Sequence, residues 1–221
     1  MIGRLLEISL SCDDVLKTVR TFQALGFRDI PTGDVWPHPY AVVSDGRINI
    51  GLHRYNFDSP SLTFVQSNLN QWSAAYRIQG IELAFEKLST ESFNELGFID
   101  PGGQMSAVLE SRTFSPPPFV EQDISALGRF VGFALPGGLA NESRAFWRKL
   151  GLDDNDYLPA ADARIRFDGD RTLICHFEAD MQYLAVHVAR SGSADVRIAN
   201  DESYARANLG GLEVHVRALD S

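Results

Sequence analysis

Cysteine is scarce: only Cys12 and Cys175 are present, with no CxxC pair and no Cys/His cluster. That leaves no motif for structural zinc. A single disulfide stays open, but the two lie in expected strands of different halves, and two buried thiols in a reducing cytoplasm is the reading adopted. No run approaches the roughly 20 apolar residues of a membrane helix. No apolar signal core stands ahead of Asp13 and Asp14, so a cytoplasmic chain without a membrane partner is expected. Positive charge is also short, with 20 Lys and Arg against 29 Asp and Glu and a net charge of −9. Nucleic-acid binding needs clustered cations and is disfavoured. No GxGxxG follows a strand, no glycine-rich loop ends in Lys-Ser/Thr, and no Ser/His/Asp or Cys/His nucleophile spacing stands out. The acidic run Asp153-Asp154-Asn155-Asp156 lacks the alternation and central glycine of an EF-hand and reads as a solvated turn.

What the chain does have is a recurring turn and strand. Asp100-Pro101-Gly102-Gly103 leads into the mostly apolar Met105 to Glu110. Proline fixes one φ and the glycines supply the positive φ that a tight turn needs. Asp45-Gly46-Arg47, Asp168-Gly169-Asp170 and Gly210-Gly211 lead into similar strands. In front of the first unit, Leu5 to Leu10 alternates as a strand. A helix then runs from the cap Asp14 through Val15, Val19, Phe22 and Leu25 to the stop Gly26. A second copy starts at Ser61 to Val65, has a helix from about Asn68 to Gln79, and continues with a strand over 81–86. A third starts at Arg129 to Leu135, with a helix started by Asn141 or Leu139, Asn141 being the better cap, and containing Phe146 to Lys149. A fourth starts with a strand at Tyr183 to Val188 and has little room for a helix; Gly169 and Gly211 are also the closest pair of turn glycines.

A strand, a helix and three more strands, repeated in pairs, resembles the vicinal oxygen chelate superfamily of glyoxalases, bleomycin-resistance proteins and extradiol dioxygenases. The most specific matches are Phe22-Gln23-Ala24-Leu25-Gly26-Phe27 and the Asp100-Pro101-Gly102-Gly103 turn. The resemblance implies an α+β fold of tandem βαβββ modules forming two glyoxalase-like domains with cupped mixed sheets, the last module trimmed. Domain 1 would span 1–114, a Pro-rich linker 115–126, and a degenerate domain 2 the stretch 127–221. Such a scaffold hosts many chemistries, so function has to come from the site.

Metal-dependent members of the superfamily place a His in a first strand, seven residues before the capping Asp, and a Glu four residues after a turn glycine, with a further ligand from the partner module. Carried over residue by residue, these points fall on Glu7, Ile50 and Ala107 in domain 1, and on Leu173 and His215 in domain 2. Glu7 is also the one candidate catalytic residue. His187, read on the first strand of the fourth module, is a possible neighbour of His215. Glu7, His187 and His215 are therefore the metal-ligand candidates, too few for a full site, and no cofactor is expected. Under the alternative reading, a metal-dependent lyase, isomerase or dioxygenase, these residues would hold a divalent metal. His53, Glu110 and His176 follow their turn glycines by seven and, by strand parity, would face away from the ligand point.

Without ligands the cleft of domain 1 becomes apolar, lined by Ile48, Ile50, Leu52, Met105, Ala107 and Leu109. The Pro-rich loop before the first hairpin adds Trp36, His38 and Tyr40 at its mouth. The expectation is a small, largely apolar or aromatic ligand held near Glu7, Trp36, His38, Tyr40, Ile50, Met105 and Ala107. A buried Glu7 needs a partner, such as a ligand cation or Arg4, or a raised pKa. Homodimerisation is left open.

Overall fold

The computed structural model describes residues 2–31, 37–89, 94–110, 125–152, 164–169, 172–193, 195–200 and 203–219. The first half runs β1 (Arg4–Ser11), α1 (Val15–Gln23), β2 (Arg28–Ile30), β3 (Tyr40–Ser44), β4 (Asn49–His53), β5 (Ser61–Gln66), α2 (Leu69–Ile78), β6 (Phe85–Lys87), β7 (Glu95–Ile99) and β8 (Met105–Glu110). These strands form one mixed sheet in the order β2-β3-β4-β1-β5-β8-β7-β6. The second half runs β9 (Arg129–Pro136), α3 (Ala140–Lys149), β10 (Arg164–Gly169), β11 (Ile174–Ala179), α4 (Met181–Ser191), β12 (Val196–Ile198), β13 (Tyr204–Leu209) and β14 (Leu212–Ala218). Its sheet has the order β10-β9-β11-β14-β13-β12. In each sheet the first strands of two modules pair antiparallel, β1 with β5 and β9 with β11. Each sheet is thus built from two modules back to back.

Local sequence explains most boundaries. Asp14 caps α1 by accepting the Lys17 N–H at 3.0 Å, and Val15, Val19 and Phe22 bury one stripe of that helix. Gly26, at φ +92°, ends the turn after it. Asp45 Oδ1 organises the first hairpin turn by accepting the N–H groups of Arg47 and Ile48. Asp100 Oδ1 does the same for Gln104 in the second turn.

The trimmed last module is not what forms. The expected strand at Tyr183 to Val188 is inside α4. Asp180 accepts N–H bonds from Gln182 and Tyr183 at 2.9 and 3.0 Å, and Gly192 closes the helix in a left-handed conformation. Met181 and Leu184 enter the core and Val188 packs against it. The spacing is helical, and the two caps outweigh the β-favouring run between them. The fourth module therefore opens with β11 and is complete, whereas among the described residues the third contributes α3 and only two strands, β9 and β10. Two smaller differences follow from packing. Leu139 rather than Asn141 stands at the start of α3. The strand expected at 81–86 shrinks to Phe85–Lys87, because Ile81 turns inward, its N–H bonded to the Tyr76 carbonyl at 2.9 Å.

One continuous apolar core joins both sheets. Helix α1 contacts β2, β3 and β4 on one side and β13 on the other. On α3, fully buried Trp147 packs against Phe64 and Phe98 of the first sheet and donates to Asp100 Oδ2 at 2.9 Å. The expected linker falls mostly outside the described residues. Its last two residues are described: Ser125 bridges Gly128, and the Ala126 N–H bonds the Leu25 carbonyl at 2.8 Å. Both thiols are unpaired. Each sheet turns one face to this core, so polar side chains collect on the other, outer face by strand alternation. Among the described residues no helix is long and apolar enough to cross a membrane.

Candidate functional site

A bulge aims Glu7. In the β1–β5 pair Leu5 faces Phe64 and Glu7 faces Thr63, so Leu6 is the extra residue. Leu5, Ile8 and Leu10 go to the core, while Leu6 joins Val65 and Leu109 in a small separate cluster. Glu7 is 3% exposed on the outer side. Its carboxylate accepts from Ser9 Oγ at 2.8 Å and Tyr40 Oη at 2.7 Å, and lies 3.1 Å from His53 Nε2. His53 Nδ1 in turn meets His38 Nε2 at 3.0 Å. Three donors offset the desolvation of this anion, and His53, not Arg4, is its charged or polar partner. Gly51 makes the room, since a Cβ there would fall 2.0 Å from Glu7 Oε1.

Rings extend this network outward. Tyr40 lies 4.5 Å from His53 between centroids. His38 stacks on Tyr55 at 5.3 Å, and Tyr55 on Phe57 at 6.4 Å. Partial burial, and then the charge of His53, hold the His38 imidazole below its ordinary value, which favours the neutral ring at physiological pH.

Glu7, His38 and Tyr40 thus come together, and Met105 and Ala107 alternate on the same outer face, with Ala107 paired to Thr63 beside Glu7. Ile50 does not join them. It pairs with Ile8 and is buried in the helical core with Ile48 and Leu52. The reason is turn length. The Asp45-Gly46-Arg47 turn enters its strand earlier than the Asp100-to-Gly103 turn, and an offset of one residue flips every side chain to the other face. The same offset brings His53, expected to face away, onto the Glu7 side. Trp36 lies outside the described residues. Glu110 is a strand-end residue that accepts from Asn94.

The second sheet repeats the bulge. In the β9–β11 pair Phe130 faces Phe177 and Gly132 faces His176, so Gly132 is the counterpart of Glu7 and His176 of Thr63. His176 pairs with His215 as Thr63 pairs with Ala107. Arg166 pairs with Ala134 as Gly51 pairs with Ser9. A carboxylate over a glycine in the first sheet becomes a glycine beside an arginine in the second. His215 lies 2.7 Å from Glu213, and its ring is 5.5 Å from that of His176. It does not meet His187, which sits on α4 with Nε2 at 2.7 Å from the Ala24 carbonyl; the helix replaced the strand that would have brought it near. Leu173, the expected ligand point after Gly169, is buried in the core just ahead of β11. The arginines of this face were missed in the sequence, although Arg164-Ile165-Arg166-Phe167 has the alternation of a half-buried strand.

The divalent metal that the resemblance implies for a catalytic reading can be tested against these donors. On the first sheet both oxygens of Glu7 and both ring nitrogens of His53 are engaged, and Ala107 and Thr63 bring neither carboxylate nor imidazole. On the second, Gly132 contributes no ligand, and Arg166 Nη2 stands 3.2 Å from His176 Nε2, on the lone pair a metal would need. Among the described residues no group of three or more His, Cys, Asp or Glu is arranged to hold a metal ion. Neither donor set fits such a centre.

No family model and no curated protein sequence matches the chain. Solved structures do match it along almost its whole length. Against a catechol 2,3-dioxygenase the identity is 16%, with a TM-score of 0.62 over 98% of this chain and 87% of the other. Against the Mn(II)-bound glyoxalase from Novosphingobium aromaticivorans it is 13%, with a TM-score of 0.61 over 98% and 82%. Against the homoprotocatechuate 2,3-dioxygenase from Brevibacterium fuscum, in complex with 3,4-dihydroxyphenylacetate, it is 12%, with a TM-score of 0.62 over 99% and 81%. At such identities the likeness shows the fold alone, one shared with these dioxygenases and this glyoxalase.

Proposed function

We propose that the chain binds a small, largely apolar aromatic molecule on the outer face of the first sheet, without a metal. The observation that carries this reading is the buried Glu7 carboxylate, bonded to His53, Tyr40 and Ser9 and bordered by stacked rings. A buried anion weakens a fold relative to apolar packing unless something else requires it. Here it orients Tyr40 and His53, and through His53 it orients His38. Tyr55, 62% exposed, together with His38 and Phe57 offers a stacking edge for a planar ring. Met105 and Ala107, half-buried on the same face, supply apolar surface near Glu7. In this reading a ring stacks on Tyr55 and His38, while a hydroxyl or amine on the ligand exchanges hydrogen bonds with the ordered polar edge. The likeness to dioxygenases of aromatic substrates agrees with a planar ligand but does not carry the argument.

The test is calorimetric titration of the full chain with simple phenols and naphthols, alongside Glu7→Gln and Tyr55→Ala. Saturable binding by wild type is expected, at least fivefold weaker in Tyr55→Ala and weakened for hydroxyl-bearing ligands in Glu7→Gln. Equal binding by all three proteins, or none by wild type, would overturn the assignment. The metal-free part has its own check. Near one equivalent of a divalent metal in protein purified without chelator, lost in Glu7→Gln, would sink it.

A further inference from the structure

The outer face of the second sheet carries a charge opposite to that of the chain. A cavity of about 470 Å³ there is lined by Arg129, Arg164, Arg166 and Arg217, with Glu178 as the one carboxylate among the described lining residues. Its size falls in the range of roughly 300–1,000 Å³ typical of small-molecule sites. A neighbouring cavity shares Arg166, His176 and His215 with it. Asp168, 3.3 Å from Arg166, and Glu213, beside His215, stand at its edges. With these acids and the nearby Arg206 included, five arginines face three carboxylates among the described residues, in a chain where acids outnumber bases by 29 to 20.

We propose that this face binds a small oxyanion, the carboxylate or phosphate group of a small organic molecule, held by Arg164 and Arg166 of β10 with His176. The two arginines are two residues apart on one strand and share a face, so their charges reinforce each other over the same spot. Gly132, paired with Arg164 and at φ +151°, leaves that spot without a side chain. A Cβ there would fall 2.1 Å from the Arg164 carbonyl, so the position stays bare. Arg166 donates to His176 Nε2, which leaves the proton of the neutral ring on Nδ1. Burial first, then Arg166 and His215, push the His176 imidazole down to about 4, so the ring is neutral at physiological pH. Guanidinium N–H groups and an imidazole N–H are all donors and call for an acceptor. The face already gathers one oxyanion of its own: Arg129 and Arg217 both bond Glu178, at 2.6 Å and 3.0 Å.

Full-length protein is titrated with sodium phosphate and with sodium benzoate, at ionic strength matched by sodium chloride. Saturable binding of either anion is expected, at least tenfold weaker in the Arg164→Gln/Arg166→Gln double variant. Both side chains lie on the outer face of β10, so the fold is retained, which far-UV circular dichroism checks. Arg20→Gln, an exposed charge on α1, leaves the binding unchanged. Benzoate alone binding assigns the site to organic acids, and phosphate alone to phosphorylated ligands. No binding beyond chloride, or equal weakening in Arg20→Gln, would overturn the proposal.

Discussion

At the scale of single residues, Asp45 gives the clearest pH dependence. It is 1% exposed; Oδ1 accepts two backbone N–H groups, and Oδ2 has no hydrogen-bond partner. Burial raises its carboxyl to about 6, against the partial compensation of those N–H groups. The folded value lies above the ordinary carboxylate value, so its contribution is fully present below about pH 4 and is lost as pH rises through 6. Asp45→Asn keeps the Oδ1 acceptor and removes the titration. Denaturant melts at pH 4 and pH 7.5 should show the wild type losing of the order of 2 kcal/mol relative to the variant across that interval. Gly51 makes a second residue-scale case. Gly51→Ala should cost about 1–3 kcal/mol by overpacking against Glu7. In Glu7→Ala the same change should cost much less, a coupling read from a double-mutant cycle. Glu7 was legible in the sequence as the residue seven before the capping Asp14, where the resemblance implies a ligand. His53 was not, because strand parity counted from a turn depends on how early that turn ends.

At the scale of elements, caps decided more than propensity did. Asp180 starts α4 with two side-chain bonds, and Asp180→Ala should cost about 1 kcal/mol in equilibrium unfolding. A loss indistinguishable from zero would mean that packing of Met181 and Leu184 alone holds the helix. Helix α3 is tied across the molecule by Trp147. Trp147→Phe keeps most of the apolar contact with Phe64 and Phe98 but strips buried Asp100 Oδ2 of its donor. The expected loss is about 1–3 kcal/mol by chemical denaturation. The turn and strand units at Gly46, Gly103 and Gly211 were readable from glycine and apolar runs alone. The segment 183–188 misled because an apolar, partly β-branched stretch serves either state until its caps are weighed.

At the scale of the whole molecule, the two sheets share one core through α1 and α3, so unfolding is expected to be cooperative. Calorimetry should show a single transition, and a chain cut after residue 118 should be aggregation-prone, with Phe64, Phe98 and Leu25 stripped of their cover. Two resolved transitions, or a soluble and folded fragment, would show that each half stands alone.

The sequence alone determined the first two modules, most of the turns and the presence of Glu7, His38 and Tyr40 in one half. Those features follow from period, cap and turn chemistry, which act over a few residues. Only the tertiary structure decided which side chains share a face. The matched bulges at Leu6 and Val131 shift register within a strand pair, and the chain across the sheet supplies the partner. That is why His53 meets Glu7, why Ile50 leaves it, and why Arg166 meets His176: each contact depends on pairing between strands far apart in sequence.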